Sequence, residues 1–583
     1  MYGKSKVSVF PTNISLNEMP EVFNNFFLQK ISKIREGFDS DVNEPVFNKS
    51  NTYVYSGNLL TEFKTLSNND VKNIILSSPH TSCSLDPLPT KFLCQHIDVL
   101  IDCLTCIIND SLLTGVMPLC FRQAIISPLI KKPTLDPNEL KNYRPVSNLS
   151  FLSKIIEKVV SKQLNDHLLL NSLFEPHQSA YRKLHNTETA LVKITNDLLL
   201  SADDKKVSIL ALLDLSAAFD TIDHKLLIQR LHDDFGLRDT VLHWFKTYLD
   251  NRTQSVKIGQ NVSSTAPLPF GVPQGSVLGP LLYTLYTVPL GNIIRKHNLN
   301  YHFYADDSQL YLCIEPSDVH DLIFSIEKCI NDVKRWMYYN KLKINDDKTE
   351  VILINPKKYN IQYDHLKIGA ENIFFSESAK NLGVYLDQNL SMKLHISNLS
   401  RAIYLEIRKL KSMSKFVSES SLKTLATSFI LSRLDYCNSL FKNLNKYQIE
   451  DLQKLQNFAA KVVLGKTLRD HASPCLSELH WLPVQYRIDF KIALLTFKCI
   501  NGLAPSYLTD LIELYHPSRN LRSASKFLLK SKSINFKSIG EKSFSFSSPQ
   551  VWNKLPLYLR SETSLNIFKK NLKTFYFKEA FNL

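Results

Sequence analysis

Two adjacent carboxylates, Asp306 and Asp307, lie between apolar and aromatic residues in the stretch 301–313 (YHFYADDSQLYLC). The pattern predicts two short strands joined by a tight turn, with the acids at or near its tip. Two like charges side by side repel each other and are costly on a buried hairpin. Because hard divalent cations bind carboxylate oxygens, the stretch indicates half of a metal site. A surface turn is the alternative that an Asp-Asp pair alone would favour.

Asp214 provides a third carboxylate in a setting that suits a metal. The preceding residues 207–213 (VSILALL) are nearly all apolar and predict a central buried strand. A lone carboxylate at the end of such a strand needs a partner. A two-metal phosphoryl-transfer site needs about three carboxylates from different segments, which hold two cations about 3.5–4 Å apart. Asp214, Asp306 and Asp307 are the candidates for that set.

Phe219 follows Asp214 after two small residues, Ala217 and Ala218, which would let the backbone come close to a ligand. An aromatic ring just past a metal-binding aspartate could press on a nucleotide sugar. A deoxyribose would fit there, and a 2′-hydroxyl would clash. Simple core packing is the alternative for Phe219. The acids that follow, Asp220 and Asp223, are expected to cap helices or accept hydrogen bonds.

A glycine-rich loop occupies residues 270–280 (FGVPQGSVLGP). The chain has only 15 glycines, and three of them fall within nine positions here. Glycine permits close backbone approach, and the loop opens a helix whose first N–H groups can face a phosphate or a template strand. Gln274 could bridge a sugar or a base. A plain turn from loop to helix is the alternative.

Two further segments fit a site that handles phosphates. In residues 340–350 (NKLKINDDKTE), a lysine could protonate a leaving pyrophosphate or stabilise its charge, although a solvated basic loop is the alternative. Residues 382–387 (LGVYLD) predict a short hairpin that could grip a primer strand.

The composition of the whole chain favours a polyanionic partner. The net charge is +15 over 583 residues and the pI is near 9.1, so nucleic acid is the first expectation and an anionic membrane the second. A charge that serves only solubility is the alternative. The N-terminus has no apolar export signal and no run is long enough to span a bilayer, so the ten cysteines are expected to be reduced thiols. Cys103 and Cys106 are interpreted as core residues of a helix.

The order of the elements predicts an α+β core with a helical appendage. Strands and helices alternate up to about residue 390, and the periodicity is then almost wholly helical. The segment from 471 to 583 is aromatic and basic, which suits either contact with unpaired bases or a solvated face of a small helical domain. Trp481 and Trp552 in this segment are expected in the core.

The ordered series LDLSAAFDTIDH, GVPQGSVLGPLLY, FYADD, NKLKINDDKTE and LGVYLD resembles the A to E motifs of the reverse transcriptase palm. Upstream, KNYRPVSNLS and residues 178–182 resemble fingers motifs, and SCSLDPLPTKFL resembles an N-terminal segment of non-LTR retrotransposon enzymes. The C-terminal LHWLPVQYRIDFK, NGLAPSYL and SSPQVWNKLPLYLR resemble the tail of the Jockey/chicken-repeat group of these LINE-type elements. The resemblance covers the chain from about residue 80 onward.

The resemblance implies a role for each matching residue. Asp214, Asp306 and Asp307 would be ligands of two Mg²⁺ ions, with Mn²⁺ as a possible substitute. Lys348 would be the motif D lysine that acts in catalysis. The remaining candidates would contact nucleotide or template, with Phe219 as the sugar gate: Phe219, Gln274, Gly275, Arg144, Lys131 and Arg182. The sequence QSAYR departs mildly from relatives, which often have glycine and phenylalanine in this loop.

The resemblance also implies an architecture and an activity. The fold would be a right hand, with an N-terminal extension (1–79), fingers (80–205), palm (206–388), helical thumb (389–470) and a basic, mostly helical C-terminal domain (471–583). The reverse transcriptase domain as a whole would cover about 111–388. The activity would be RNA-directed DNA synthesis from an RNA template, a DNA primer and dNTPs.

Three further expectations accompany this interpretation. Too few residues precede the polymerase region to fold the usual endonuclease, so another chain would have to make the nick that supplies the primer. The protein would be intracellular, without membrane association, and would act in the nucleus. The alternative function is a catalytically silent remnant of a retrotransposon that binds RNA but makes no DNA.

Overall fold

The structure is a computed structural model, and it describes residues 10–38, 55–369, 371–515 and 527–583. Within these residues the chain forms two compact units, each assembled from three separate segments. The described residues of the first unit lie within 1–175, 215–293 and 332–345, and those of the second lie within 176–214, 294–331 and 346–583. Both strands that carry the candidate carboxylates belong to the second unit.

The strands are short and lie mostly between residues 120 and 390. Their bounds are β1 Gln123–Ile130, β2 Tyr143–Asn148, β3 Val207–Leu213, β4 Leu215–Ser216, β5 Thr253–Ile258, β6 Asn261–Val262, β7 Ala266–Pro267, β8 Asn300–Tyr304, β9 Asp307–Ile314, β10 Lys343–Ile344, β11 Glu350–Ile354, β12 His365–Ile368, β13 Glu371–Phe374, β14 Ser378–Asn381 and β15 Val384–Asp387.

Helices cover much of the described chain and all of its regular structure after β15. Those before β15 are α1 Met19–Glu36, α2 Asn68–Leu76, α3 Thr90–Gln95, α4 Ile97–Thr114, α5 Phe151–Leu170, α6 Thr187–Asp203, α7 His224–Asp233, α8 Asp239–Leu249, α9 Gly279–Lys296 and α10 Val319–Tyr339. Those after β15 are α11 Lys393–Met413, α12 Glu419–Ala426, α13 Ser432–Asp435, α14 Lys446–Val463, α15 Ala472–Glu478, α16 Val484–Ile500, α17 Ser506–Thr509, α18 Lys537–Gly540, α19 Phe544–Trp552, α20 Leu557–Arg560 and α21 Leu565–Phe581.

The sheet of the second unit has the strand order β11-β3-β9-β8 and is antiparallel throughout. Strand β3 lies between β11 and β9, and all its residues except the half-buried Leu212 are buried, as its apolar sequence predicts. The predicted hairpin is present, because β8 and β9 pair across a turn at Ala305 and Asp306. This sheet is therefore the scaffold of the candidate site.

The first unit has its own sheet, in which β1 lies between β2 and β5. Strand β1 pairs with β2 antiparallel and with β5 parallel. The apolar residues of β1 pack against the aromatic face of α1, where Phe23 and Phe27 are buried. Strand β2 carries both Arg144 and Ser147, and the backbone of Ser147 contacts the glycine-rich loop.

The predictions for two helices have different outcomes. Residues 225–249 form most of α7 and α8, which are separated by Gly236 at φ +68°. The expectation that Asp223 caps a helix is confirmed, because its side chain accepts a hydrogen bond from Leu226 N–H at the start of α7. The interpretation of Cys103 and Cys106 as core residues is wrong, since both lie on α4 but are exposed.

The helical region after β15 shares one hydrophobic core with α6 and the second unit's sheet. Trp481 and Trp552 are buried in this core, which confirms the expectation from the sequence. Phe568 and Tyr576 of α21 are buried in the same cluster, so these two rings are not available to stack on bases. The basic residues 516–526 of the tail lie outside the described residues.

The α+β fold class predicted from the sequence is confirmed by these sheets and helices. In the part of the chain that the structure describes, no helix combines the length and apolar character that a membrane span requires. The boundaries proposed for fingers, palm, thumb and C-terminal domain stay predictions.

Candidate active site

The pairing of β3 with β9 and with β11 brings Asp307, Asp214 and Lys348 together at the end of the second unit's sheet. The last pair between β3 and β9 is Leu213 with Ser308, so the next position places Asp214 beside Asp307. On the other side of β3, Leu212 pairs with Glu350, and two positions further along Lys348 reaches Asp214. Neighbouring positions on paired strands are about 5 Å apart, so the three side chains form one row at the end of the sheet.

Lys348 and Asp214 form an ion pair, with Lys348 Nζ 3.1 Å from Asp214 Oδ2. Lys348 lies in a short 3₁₀ turn, Asp346–Lys348, just before β11. Its side chain is 65% exposed and that of Asp214 is 27% exposed. An ion pair this open to water adds little to stability, at most about 1 kcal/mol.

A cavity of about 140 Å³ opens at this row. Its lining includes Asp214, Asp307, Lys348 and Lys380, with the buried amides Gln309 and Asn381. Asn381 donates a hydrogen bond to Gln309 across 3.1 Å, which ties hairpin β14–β15 to strand β9. The cavity therefore combines carboxylates, ammonium groups and amides, as a site for a metal-bound phosphate requires.

The electrostatics of Asp307 reflect its crowded position. Although the side chain keeps contact with solvent, the protein around the cavity removes part of its hydration, and the carboxylates of Asp306 and Asp214 lie nearby. These effects raise the pKa of Asp307 to about 6, against the opposing effect of Lys348. Neighbouring carboxylates repel one another when they are ionised. A bound cation offsets this repulsion and stabilises the ionised carboxylates.

The turn that carries Asp306 is held by Gln178. Ala305 lies in the left-handed region at φ +57°, which costs a non-glycine residue roughly 1–2 kcal/mol. The Gln178 side chain accepts a hydrogen bond from Ala305 N–H (3.1 Å) and donates one to Ala305 C=O (3.3 Å). Gln178 is 4% exposed, and its Oε1 also accepts from Ala180 N–H. This amide therefore fixes both backbone groups of Ala305, in the turn that carries Asp306.

The glycine-rich loop belongs to the first unit, where backbone bonds join it to the segment after β4. Gly271 N–H donates to Ile222 C=O at 2.8 Å, and Val272 N–H donates to Phe219 C=O at 2.9 Å. Gly271 has φ +81°, and a Cβ there would lie 2.7 Å from the carbonyl oxygen of Asp220. Only glycine allows the two segments to approach this closely.

Gln274 and Gly275 fix the loop at two more points. Gln274 Nε2 lies 2.8 Å from both carboxylate oxygens of Asp220, which confirms that Asp220 accepts hydrogen bonds. Burial raises the pKa of Asp220 to about 6, and the bond from Gln274 opposes this shift. Gly275 has φ +121°, and a Cβ there would lie 2.6 Å from Ser147 C=O. The backbone of Ser147 also donates to Gln274 C=O at 2.8 Å.

Phe219 is half-buried and stacks on Tyr283 of α9, with ring centroids 4.7 Å apart. This contact supplies the core packing that the alternative interpretation of Phe219 required. The same contact also holds the ring in one orientation, which a residue that presses on a sugar would need.

Glu157 of α5 is a functional support that the sequence did not reveal. The side chain is fully buried, and Oε2 accepts hydrogen bonds from Val277 N–H (2.7 Å) and Leu278 N–H (3.0 Å). Burial raises the pKa of Glu157, while these bonds and the nearby Arg252 favour its charged form. The signal available in the sequence was the position of Glu157 in the middle of an apolar helical pattern. A glutamate on the buried face of a helix is seldom without partners, so the pattern indicates a buried, hydrogen-bonded acid.

Three of the six residues expected to contact nucleotide or template, namely Arg144, Lys131 and Arg182, have different surroundings. Arg144 on β2 is exposed. Lys131 Nζ donates to Lys141 C=O at 2.7 Å in the first unit, and Arg182 donates to Gln178 C=O at 3.1 Å in the second. The structure thus brings Asp214, Asp307 and Lys348 together in one unit and joins Phe219, Gln274 and Gly275 in the other.

The carboxylates fit divalent metal chemistry only together with a substrate. Among the described residues, no group of three or more His, Cys, Asp or Glu side chains is placed so that it could enclose a metal ion by itself. Mg²⁺ is usually held by one or two carboxylates together with substrate phosphates and water, so a protein-only cage is not required. The hard oxygen donors of Asp214 and Asp307 at the cavity suit such a site.

Comparison with known families identifies the class of the domain. The family model described as "Reverse transcriptase (RNA-dependent DNA polymerase)" matches residues 130–386. The matched segment contains β3, the β8–β9 hairpin and the glycine-rich loop. Residues 130–386 therefore match the reverse transcriptase family, which confirms the resemblance of the palm motifs in this segment.

The curated relatives that the chain resembles include proteins of mobile elements. The chain is 28% identical to the probable RNA-directed DNA polymerase from transposon BS of Drosophila melanogaster, over 56% of this chain and 36% of that protein. It is 24% identical to the RNA-directed DNA polymerase from mobile element jockey of the same species, over 69% of this chain and 43% of that protein. The chain spans less than half the length of these two relatives.

A solved structure of apo telomerase from Candida tropicalis is also similar, with 14% sequence identity and a TM-score of 0.33. The similarity covers 47% of this chain and 55% of that one.

Proposed function

We propose that the protein is an RNA-directed DNA polymerase of a non-LTR retrotransposon, which copies RNA into complementary DNA. The observation that carries the proposal is the row of Asp307, Asp214 and Lys348 at the end of the second unit's sheet, inside a reverse transcriptase domain. In the reaction, the primer 3′-hydroxyl loses its proton and attacks the α-phosphorus of a dNTP. The bond to the bridging oxygen of the β-phosphate breaks, and pyrophosphate leaves.

Asp214, Asp306 and Asp307 would hold the divalent ions, with Mg²⁺ as the proposed metal and Mn²⁺ as a substitute. When bound, such ions lower the pKa of the attacking hydroxyl and stabilise charge on the transferred and leaving groups. Lys348 would stabilise the leaving pyrophosphate or protonate it, and its position next to Asp214 supports that role. Gln178 would keep the turn at Ala305 in the conformation that presents Asp306 and Asp307.

Phe219 is proposed as the residue that selects deoxyribose. Its stacking on Tyr283 and the bond from Val272 N–H to its carbonyl would keep the ring in place. Gln274 and Gly275 would contact nucleotide or template, as would Arg144, Lys131 and Arg182. The proposed partners are therefore an RNA template, a DNA primer and dNTPs, and the nucleus is the proposed place of action.

Primer extension on an RNA template with Mg²⁺ and dNTPs tests the proposal. Wild type should extend the primer, and Asp306→Ala/Asp307→Ala should abolish the product while salt-dependent RNA binding stays near that of wild type. Asp364→Ala is a matched control, because Asp364 is an exposed acid of the same unit and its loss should leave extension unchanged. Absence of extension by wild type, with RNA binding retained, would favour the silent RNA-binding remnant instead.

Phe219→Ala tests the sugar gate separately. The variant should incorporate ribonucleotides more readily relative to deoxyribonucleotides, by about 10-fold or more, because the clash with a 2′-hydroxyl is removed. Phe219→Tyr serves as the conservative control and should retain discrimination. Unchanged ribonucleotide incorporation by an active Phe219→Ala enzyme would rule out this role.

A further inference from the structure

The C-terminal segment supplies a buried hydroxyl to the support of the catalytic hairpin. Tyr507 lies on the short helix α17 (Ser506–Thr509) and is 4% exposed. Its hydroxyl makes hydrogen bonds of 2.7 Å with Ser179 Oγ and 2.9 Å with Thr189 Oγ1. Tyr507 is part of NGLAPSYL, a sequence whose role the polymerase motifs do not explain.

Ser179 connects this hydroxyl with strand β8. Ser179 Oγ and His302 Nε2 share a hydrogen bond of 2.7 Å, and the His302 ring lies edge-on to the ring of Tyr507 at 4.9 Å. Ser179 N–H donates to Phe303 C=O at 3.0 Å, and Phe303 N–H donates to His177 C=O at 2.8 Å. Residues 177–179 thus continue the second unit's sheet beyond β8, by a parallel bridge between Gln178 and Phe303.

Gln178 extends the same series of contacts to the catalytic turn. It precedes Ser179 in the chain, and its side chain holds both backbone groups of Ala305, next to Asp306. A displacement of Ser179 therefore moves the backbone on which Gln178 depends. Two side-chain hydrogen bonds and one peptide link separate the Tyr507 hydroxyl from the Ala305 turn.

Thr189 and His302, which bond to Tyr507 and Ser179 in this series, are themselves fixed in place. Thr189, the second partner of Tyr507, forms a capping box with Asn186 at the start of α6. His302 is fully buried, and burial lowers its pKa to about 3, so the ring is neutral near pH 7 and its bond to Ser179 is not lost to protonation. The hydroxyls of Tyr507, Ser179 and Thr189 thus bond to partners on different segments, which favours one geometry of residues 177–179.

We propose that Tyr507 is a positioning residue of the catalytic turn, so that the C-terminal segment contributes to the rate of nucleotide transfer and not only to the binding of nucleic acid. This inference rests on the proposed polymerase function. A small shift of the carboxylates away from the productive geometry lowers the rate of transfer more than it lowers the affinity for substrates. The affinity for RNA depends on basic residues elsewhere and should not depend on this hydroxyl.

Tyr507→Phe removes only the hydroxyl, and Tyr558→Phe is its matched control because Tyr558 is exposed in the same segment of the chain. With the full chain, we expect Tyr507→Phe to lower kcat per active site by about 10-fold, with KM for dNTP and Kd for RNA within about 2-fold of wild type. Active sites are counted from the burst amplitude, so partial misfolding is not scored as a lower rate. Tyr558→Phe should match wild type.

The variant Ser179→Ala tests whether Tyr507 acts through Ser179. If Tyr507 acts through Ser179, the double variant Tyr507→Phe/Ser179→Ala should be no slower than the slower single variant. Independent, multiplied losses would overturn the proposed connection, as would an unchanged kcat in Tyr507→Phe. If the wild-type protein binds RNA but does not extend a primer, the proposed polymerase function is wrong. If the wild-type protein and Tyr507→Phe are equally active, the polymerase function stands and only the role of Tyr507 is wrong.

Discussion

Gln178 binds both the N–H and the C=O of Ala305, the residue of the β8–β9 turn that has a left-handed backbone. The cost of that conformation, roughly 1–2 kcal/mol, is comparable to the contribution of two buried hydrogen bonds. The orientation of Asp306 and Asp307 therefore depends on a side chain more than a hundred residues earlier in the chain.

Gln178→Ala should lower the rate of primer extension by about 10- to 100-fold, because the turn loses both hydrogen bonds and relaxes. Ala305→Gly in the same chain should restore part of that rate, since glycine adopts a positive φ without the steric cost. Single-turnover extension measures both effects. The explanation fails if Gln178→Ala is as fast as wild type, or if Ala305→Gly makes the variant slower still.

Because the ion pair of Lys348 with Asp214 is exposed, we expect the loss of Lys348 to affect activity more than stability. Lys348→Ala should lower extension by about 10-fold or more, because the leaving pyrophosphate loses a cation, whereas the free energy of unfolding should change by less than about 1 kcal/mol. Lys343→Ala is the matched control, as Lys343 is an exposed lysine of the same short segment. Equal effects of the two substitutions on extension would show that net charge, and not position, matters.

Sequence patterns were sufficient for the parts of the site that local rules control. An apolar run that ends in an acid predicted strand β3 and Asp214, and the alternation around Asp306 predicted the β8–β9 hairpin. Once these strands pair antiparallel, the row of Asp307, Asp214 and Lys348 follows from the register.

Long-range supports could not be predicted in this way. Gln178 and Glu157 act through hydrogen bonds to backbone groups more than a hundred residues away. Nothing in the spacing of nearby residues specifies such a contact, because it depends on how distant segments pack. The same reason applies to Cys103 and Cys106, whose apolar neighbours predicted burial although both lie on an exposed face of α4.

Gly275 should be intolerant of any side chain. Gly275→Ala places a Cβ 2.6 Å from Ser147 C=O and forces alanine into φ +121°, so the loop must move and extension should fall by at least about 10-fold. Gly259→Ala is the control, because Gly259 also has a positive φ (+62°) but nothing lies within 4 Å of its Cβ position. Both variants are assayed for extension and for thermal unfolding. Comparable losses in the two would mean that backbone strain, and not the contact with Ser147, is responsible.

The raised pKa of Asp220 predicts that the stability of the folded protein depends on pH. Its pKa is raised to about 6 in the folded protein, from an ordinary value of 3.8, chiefly by burial. The folded state therefore holds a proton more tightly than the unfolded state. The stabilisation from this group is fully present below the unfolded pKa and is lost as the pH rises through about 6.

Asp220→Asn removes this titration and keeps one oxygen that can accept from Gln274. Relative to wild type, the variant should gain stability as the pH is raised from about 4 to about 7.5, by an amount on the order of 1–3 kcal/mol. Denaturation midpoints of both proteins at several pH values provide the measurement. Asp364→Asn is the control, since Asp364 is exposed and its substitution should add no slope in this range. A difference between Asp220→Asn and wild type that stays constant from about pH 4 to 7.5 would show that Asp220 is ionised throughout, with Gln274 and not a proton compensating its burial.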